Sequence, residues 1–167
     1  MSAFPNWNIE HIFTTGITEE HREVCYALRM ATSARSHTFP VNQITGAIVN
    51  SAMKVHSTLG PGLLESAYQA CLAHELRNRG FAVLTEVPLP VVYEGQKLEV
   101  GYRIDLVVAN RVAVEVKSVE GIHPIHEAQL LSYMRLSGMR VGLLMNFNVL
   151  CLRDGIKRMV DGHDWQK

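Results

Sequence analysis

The sequence has few cysteines and no excess of charge of either sign, and both features narrow the class of protein. Its 167 residues include three cysteines, Cys25, Cys71 and Cys151, which lie far apart and form no CxxC pair. This spacing indicates neither a disulfide framework nor a zinc knuckle, so we expect reduced and mostly buried thiols. Lys and Arg number 16 and Asp and Glu number 16. That balance argues against a strongly basic, histone-like binder of nucleic acid.

Long apolar runs, internal repeats and low-complexity tracts are also missing from the sequence. No apolar run is long enough to span a bilayer. Acidic residues stand where a secretory signal would have a basic segment followed by an apolar one: Glu10, Glu19, Glu20 and Glu23. We therefore expect a cytoplasmic protein with no membrane contact. Hydrophobic residues make up 47% of the chain, enough for one domain with a single core.

The first 40 residues differ in pattern from the rest. A short helix is predicted from about Thr18 to about Met30, and a polar, aperiodic segment then leads to Pro40. We predict that residues 1–40 are an N-terminal extension or arm and that residues 41–167 form the folded domain. An arm of this kind could pack on a second copy, so a homo-oligomer is possible.

The spacing of apolar residues in the domain changes from helical to alternating and back. Helical spacing predicts one helix over 42–58, a second from the Gly60-Pro61-Gly62 break to about Arg79, and a third over 124–137. Pro88 and Pro90 should interrupt the first strand. The predicted strands are 81–87, 98–108, 112–119 and 141–147, with a last hairpin of 149–153 and 156–160 around Asp154-Gly155. This order predicts an α/β fold, with a mixed sheet flanked by helices.

Three charged side chains lie on the strongest predicted strand pair. Because residues two apart on a strand share a face, Glu115 and Lys117 point the same way, and Val114 and Val116 point to the other side. Asp105 likewise alternates with apolar neighbours. Charges on such strands are costly to bury unless they are paired or bound to metal.

Two carboxylates and one ammonium group can serve phosphodiester chemistry. Carboxylate oxygens bind Mg²⁺ or Mn²⁺, and such an ion polarises a phosphodiester and acidifies a water molecule. A lysine can then orient the water or stabilise the developing negative charge. The alternative is a simple cross-strand salt bridge of Lys117 with Asp105 or Glu115 on an exposed sheet face.

The length of the loop between these strands decides whether such a site exists. A two-residue turn would put Asp105 and Glu115 on opposite faces of the sheet. A three-residue loop, 109–111, pairs Val108 with Val112 and places Asp105 directly opposite Glu115. The three-residue loop also keeps the apolar residues of the two strands on one face. Asn110 tolerates the left-handed conformation that such loops require. We therefore predict the three-residue loop, with Arg103 opposite Lys117.

Two motifs resemble a known family. Asp105, Glu115 and Lys117 match the D-x(n)-E-x-K pattern of the PD-(D/E)XK nuclease superfamily, although Ile104 stands where the superfamily name has Pro. The segment 62–68, Gly-Leu-Leu-Glu-Ser-Ala-Tyr, resembles the motif of the GxxExxY family within that superfamily. The resemblance covers about residues 41–160. It implies a restriction-endonuclease-like core, αβββαβ.

The resemblance also implies roles for residues outside the strand pair. Glu65 would face the metal site, so that Glu65, Asp105 and Glu115 hold Mg²⁺ or Mn²⁺ and Lys117 completes the catalytic set. Tyr68 shares a helix side with Glu65. Gln129 and Tyr133 resemble the QxxxY arrangement of related nucleases. With Tyr68, they would position substrate or support the site. The alternatives are a solvated helix acid at Glu65 and ordinary surface polar residues on the later helix.

Histidines and basic residues elsewhere allow weaker interpretations. His56, His123 and His126 are possible ligands or bases, but ordinary helix-end histidines explain the last two, and His56 is a weak candidate beside Glu65. Five basic residues could follow a phosphate backbone or simply form a solvated face: Arg135, Arg140, Arg153, Lys157 and Arg158.

The predicted function is metal-dependent hydrolysis of phosphodiester bonds in DNA or RNA. The main alternative is a non-catalytic module that keeps the fold and binds nucleic acid or a protein partner, because fold alone does not imply activity. Hydrolysis of a small nucleotide is a third possibility.

Overall fold

The structure is a computed structural model that describes residues 39–162, apart from the side chains of residues 92, 97, 99 and 100. Cys25 and almost all of the predicted N-terminal arm, with its short helix, lie outside the described residues. The boundary at residue 40 therefore stays a prediction.

The described chain forms a five-stranded sheet with helices on both faces. Helix α1 (Val41–Leu59) and helix α2 (Glu65–Asn78) precede strands β1 (Val83–Tyr93), β2 (Gln96–Val108) and β3 (Val112–Lys117). Helix α3 (Pro124–Ser137), strand β4 (Val141–Asn146) and strand β5 (Ile156–Val160) follow. The strand order is β1-β2-β3-β4-β5, with β3 and β4 parallel and all other neighbours antiparallel. The predicted α/β fold with a mixed sheet is confirmed.

The two faces of the sheet are buried differently. Helices α1 and α2 cover one face with a continuous hydrophobic core, in which Tyr68 and Leu72 contribute the buried side of α2. Helix α3 packs closely on the other face, since a Cβ atom added at Gly142 would lie 2.6 Å from Met134 Sδ and 3.1 Å from a Leu130 methyl carbon. The sheet side chains in the core beneath α1 and α2 are Val83, Leu106, Val108, Val112, Val114, Val116, Val141, Leu143 and Met145.

The loop between β2 and β3 has the predicted three residues. Val108 pairs with Val112, and Leu106 pairs with Val114. Ala109 and Asn110 both adopt the left-handed conformation, with φ of 50° and 53°. Sequence reasoning expected one such residue, at Asn110. The register confirms that Leu106 and Val114 share the buried apolar face.

Strand β1 continues through two prolines, contrary to the prediction that they interrupt it. Pro88 pairs with Arg103, and the register shifts between Leu89 and Val91, at Pro90. A proline has no N–H to donate, so it is tolerated where the strand has a neighbour on one side only. Among the described strands β1 lies at an edge of the sheet, which explains why the strand continues.

The predicted last hairpin is wrong in its first half. Residues Leu152–Gly155 form a 3₁₀ turn, and β5 pairs with β4. A Cβ atom at Gly155 would lie 2.2 Å from Asn146 O, so this turn passes directly against the end of β4. The close approach favours glycine and directs the chain back along the sheet.

The described cysteines and helices test two further expectations. Cys71 is half-buried and Cys151 is exposed, so the expectation of buried thiols is wrong for Cys151; both are free. Within residues 39–162, no helix is long and apolar enough to cross a membrane.

Candidate active site

A cavity of about 670 Å³ brings together most of the predicted site residues. Glu65, Asp105, Glu115 and Lys117 all line it, as do Gln129 and Tyr133 of α3. The strand face that carries the acids therefore meets α3 and the start of α2 in one pocket. Its other lining residues are Leu63, Leu64, Ser66, Gln69, Glu86, Gly101, Arg103 and Ser118.

Asp105 occupies the place where the backbone pairing of β2 and β3 ends. The last pair is Leu106 with Val114, so the predicted direct pairs of Asp105 with Glu115 and of Arg103 with Lys117 are not part of the ladder. Instead, Asp105 Oδ2 accepts a hydrogen bond of 2.8 Å from the backbone N–H of Val116. The side chain thereby satisfies a donor on β3 and stays beside Glu115 in the pocket.

Glu115 is a buried acid with an incomplete set of partners. Glu115 belongs to β3, and it is 2% exposed. Lys117 Nζ donates to Glu115 Oε1 at 2.6 Å, whereas Glu115 Oε2 is buried without a hydrogen-bond partner. Burial and the nearby charge of Asp105 raise the pKa of Glu115 to about 7, despite the opposing effect of Lys117.

Burial and mutual charge also shift the neighbouring groups. Burial raises the pKa of Asp105 above its usual value, although the hydrogen bond from Val116 and the charge of Lys117 oppose the rise. Burial alone would lower the pKa of Lys117, but the hydrogen bond to Glu115 and the surrounding carboxylates raise it overall. Lys117 is therefore a cation that is held in place by acids.

Glu65 enters the pocket from the first residue of α2. Its Oε1 accepts a hydrogen bond of 3.0 Å from the backbone N–H of Ser118, just after β3. Ser118 Oγ donates to Leu63 O at 2.6 Å, which closes the link between the start of α2 and the end of β3. Glu65 is thus half-buried and hydrogen-bonded to the residue that follows β3, which argues against the alternative of a solvated helix acid.

Helix α3 supplies a polar pair to the pocket. Gln129 Nε2 donates to the Tyr133 hydroxyl at 2.6 Å, as their four-residue spacing on one helix face allows. Burial raises the pKa of Tyr133, which keeps its hydroxyl protonated and able to donate. Both side chains line the cavity.

Tyr68 is buried behind the pocket and does not line it. Its hydroxyl donates to Gly60 O at 2.7 Å and accepts from the Leu63 N–H at 3.0 Å. Its ring stacks on Phe147 at a centroid distance of 4.5 Å. Tyr68 therefore fixes the turn that precedes Glu65.

Sequence reasoning missed a connected polar group on the β1 side of the pocket. Glu86 has a φ of 53°, and the pairing of β1 with β2 skips it and Asp105. Gln69 Nε2 donates to Glu86 Oε1 at 2.6 Å and to Asp105 O at 2.9 Å. Arg103 Nη1 contacts Glu86 Oε2 at 3.1 Å. The signal in the sequence was Glu86 itself, an acid in the mostly apolar strand β1.

The three predicted metal ligands are not arranged as a preformed metal site. Among residues 39–162, no three His, Cys, Asp or Glu side chains are placed so that they could hold one ion. Glu65 and Asp105 each have one oxygen bonded to a backbone N–H, and Glu115 has one bonded to Lys117. The donor set still fits a hard divalent cation, because carboxylate oxygens are its preferred ligands and Glu115 Oε2 lacks any partner.

The histidines lie elsewhere and have structural contacts. His56 Nε2 lies 2.8 Å from Val149 O, and the ring contacts Phe147 in the core, so the weak suggestion of a site role for His56 is not supported by its position. His123 is the N-terminal cap of α3, and His126 Nδ1 accepts from its backbone N–H at 3.2 Å. The interpretation of His123 and His126 as ordinary helix-end histidines is confirmed.

The five basic residues considered for a phosphate backbone do not line the pocket: Arg135, Arg140, Arg153, Lys157 and Arg158. Several contact acids or backbone groups: Lys157 pairs with Glu127 at 2.6 Å, and Arg135 pairs with Asp161 at 3.8 Å. Arg140 donates to Asp161 O at 3.4 Å. These contacts favour the simpler interpretation of a solvated, ion-paired face.

Comparison with known families agrees with the fold. A family model of the PD-(D/E)XK nuclease superfamily matches residues 42–159. The chain belongs to this superfamily, and its sheet and helices are those of a restriction-endonuclease-like fold. Searches among curated proteins and among solved structures found no match.

Proposed function

We propose that this protein is a metal-dependent nuclease that hydrolyses phosphodiester bonds in DNA or RNA, and that it is of the GxxExxY type. The observation that carries the proposal is Glu115, a buried carboxylate with one partnerless oxygen, in a pocket with Asp105, Glu65 and Lys117. Members of the superfamily generally depend on divalent metal and act on nucleic acid.

The chemistry of the acids supports a cation among them. A buried carboxylate whose pKa is raised by burial and by a second acid is stabilised in its charged form when a cation binds beside it. We assign Asp105 and Glu115 as ligands, with Glu65 binding directly or through water. Mg²⁺ or Mn²⁺ at this position would polarise the phosphate and acidify a water molecule.

The remaining pocket residues are assigned by position. Lys117, fixed by Glu115, stabilises negative charge that develops on the phosphate or orients the attacking water. The Tyr133 hydroxyl, whose oxygen accepts from Gln129, can donate its own proton to a substrate oxygen. Tyr68 holds the turn that places Glu65.

A non-catalytic binding module is the second candidate. One observation favours it: the described acids are not arranged to hold an ion without movement. Two acids close together, the buried Glu115 and the half-buried Asp105, would nevertheless repel a phosphate in the absence of a cation, so we favour the enzyme.

The test is a cleavage assay on the full chain with Mg²⁺ or Mn²⁺. The substrates are single-stranded, duplex and branched DNA and RNA, together with free nucleotides, whose hydrolysis would indicate the small-molecule activity. Asp105→Asn should abolish cleavage. The matched control is Asp154→Asn, the same change at an exposed acid in the 3₁₀ turn. Equal activity in both variants would contradict the proposal.

Metal binding is measured separately, by thermal unfolding. An ion that binds only the folded state at about 100 times its dissociation constant stabilises it by about 2.7 kcal/mol. We expect the melting temperature to rise with Mn²⁺ in the wild type and in Asp154→Asn, and to stay constant in Asp105→Asn. A full rise in Asp105→Asn would place the ion elsewhere. A rise without any cleavage would favour the binding module.

A further inference from the structure

The cations that line the pocket differ in their availability to a substrate. Two of its described lining residues, Arg103 and Lys117, carry a positive charge. The Lys117 side chain is 13% exposed and lies 2.6 Å from Glu115 Oε1, so its charge is largely committed to that acid. The Arg103 side chain is 61% exposed, and its partner Glu86 is 45% exposed. Arg103 is therefore the cation that an incoming anion meets at the pocket wall.

The position of Arg103 is fixed relative to Asp105. The two residues are separated by one position on β2, and both line the cavity. Glu86 contacts Arg103 with one oxygen and accepts from Gln69 with the other, and Gln69 also donates to Asp105 O. This chain of contacts connects the guanidinium to the backbone of the proposed metal ligand.

The contact of Arg103 with Glu86 can be exchanged for a contact with phosphate. An exposed ion pair contributes little to stability, because water competes for both charges and salt screens them. A guanidinium group has donors in a fork that matches two oxygens of a carboxylate or of a phosphate. A phosphodiester in the pocket can thus replace Glu86 at little cost.

We propose that Arg103 forms a phosphate-binding subsite for the nucleic-acid backbone beside the metal site, and that Glu86 is the resident anion that holds Arg103 until substrate displaces it. This inference rests on the proposed nuclease function. It assigns Arg103 a direct contact with substrate, and it makes Glu86 and Gln69 positioning residues.

Binding of a fluorescein-labelled single-stranded DNA oligonucleotide by fluorescence anisotropy tests the subsite. The full chain is used with Ca²⁺ as the divalent ion, and a gel checks that the oligonucleotide stays intact. The variants are Arg103→Ala, Arg103→Lys and Glu86→Gln, which keeps an acceptor for Gln69. The control is Arg135→Ala, an arginine of similar exposure (67%) that pairs with an acid outside the pocket.

We expect Arg103→Ala to weaken binding about 10- to 100-fold, the usual effect of a lost charged hydrogen-bonding group. The slope of log affinity against log salt should also fall by about 0.7, as one phosphate contact is lost from a single strand. Arg103→Lys should restore the slope but only part of the affinity, because the fork is missing. Glu86→Gln should tighten binding a few-fold, and Arg135→Ala should match the wild type.

Two results overturn the inference and leave the nuclease proposal intact. If wild type binds and Arg103→Ala behaves like Arg135→Ala, Arg103 does not contact substrate. If Glu86→Gln weakens binding, Glu86 is not displaced by phosphate. Failure of the wild type to bind this oligonucleotide also overturns the subsite, and the cleavage assay on its other substrates then decides whether the nuclease proposal fails as well.

Discussion

The buried carboxyl of Glu115 should make the stability of the protein depend on pH. An acid whose pKa is higher in the folded than in the unfolded protein binds its proton more tightly when folded. The stability from this effect is fully present below about pH 4.5 and is lost as pH rises through about 7, the raised pKa of Glu115. The loss is a property of the metal-free protein, because a bound cation would favour the charged form.

The size of the effect follows from the shift. A rise of the pKa from 4.5 to about 7 corresponds to at most about 3 kcal/mol, since one pKa unit is worth about 1.36 kcal/mol. The free energy of unfolding should therefore fall by up to about 3 kcal/mol between pH 4.5 and pH 8 because of this one group. Glu115→Gln keeps an acceptor for Lys117 but cannot titrate, so it should lack this part of the fall.

Urea unfolding followed by far-UV circular dichroism, in EDTA at several pH values, measures both proteins. The readout is the difference between the two proteins in the slope of the free energy of unfolding against pH. Any effect of the substitution on Lys117 that does not depend on pH cancels in this difference. Saturating Mn²⁺ should remove the loss of stability at pH 8 in the wild type alone. Parallel pH profiles for wild type and Glu115→Gln in EDTA would refute the reasoning, since they would mean that Glu115 titrates alike in the folded and unfolded chains.

Three further predictions test parts of the fold that position the pocket. Gly155→Ala should lower the free energy of unfolding by about 1–3 kcal/mol, because its methyl group would overlap Asn146 O; Gly46→Ala, in an open position on α1, should instead stabilise by about 0.5–1 kcal/mol. Tyr68→Phe should lower it by about 1–3 kcal/mol and reduce cleavage, because a backbone N–H in the turn before α2 loses its acceptor; unchanged cleavage would separate that turn from activity. A chain that starts at Val41 should still unfold cooperatively in urea, and an insoluble or non-cooperative fragment would show that the domain boundary is wrong.

Local periodicity was sufficient to predict which residues of β2 and β3 share the buried face. The alternation of apolar and charged residues on β2 and β3 is satisfied by an odd-length loop, so the burial of Leu106 and Val114 and the position of Asp105 had one common solution. The helical spacing of Glu65 and Tyr68 likewise predicted that Glu65 lies next to the buried side of α2.

The periphery of the site depends on tertiary structure that local patterns do not contain. The left-handed backbone at Glu86 joins Gln69 and Arg103 to the pocket, but nothing in the neighbouring residues requires that conformation. Whether Pro88 ends a strand depends on whether the strand has one neighbour or two, which is set by sheet order. The prediction that Asp105 lies directly opposite Glu115 in the backbone pairing failed, because the Asp105 side chain accepts the hydrogen bond from the backbone N–H of Val116.

The two prolines of β1 also affect how copies of this protein can associate. A strand with prolines at its outer edge cannot offer a full row of N–H donors to a strand from another molecule, and this discourages aggregation by sheet extension. At the opposite edge, the exposed Lys157 and Arg158 of β5 act in the same direction through charge repulsion between copies. Self-association through the described residues would therefore use helix or loop surfaces, and the sheet would end within each molecule.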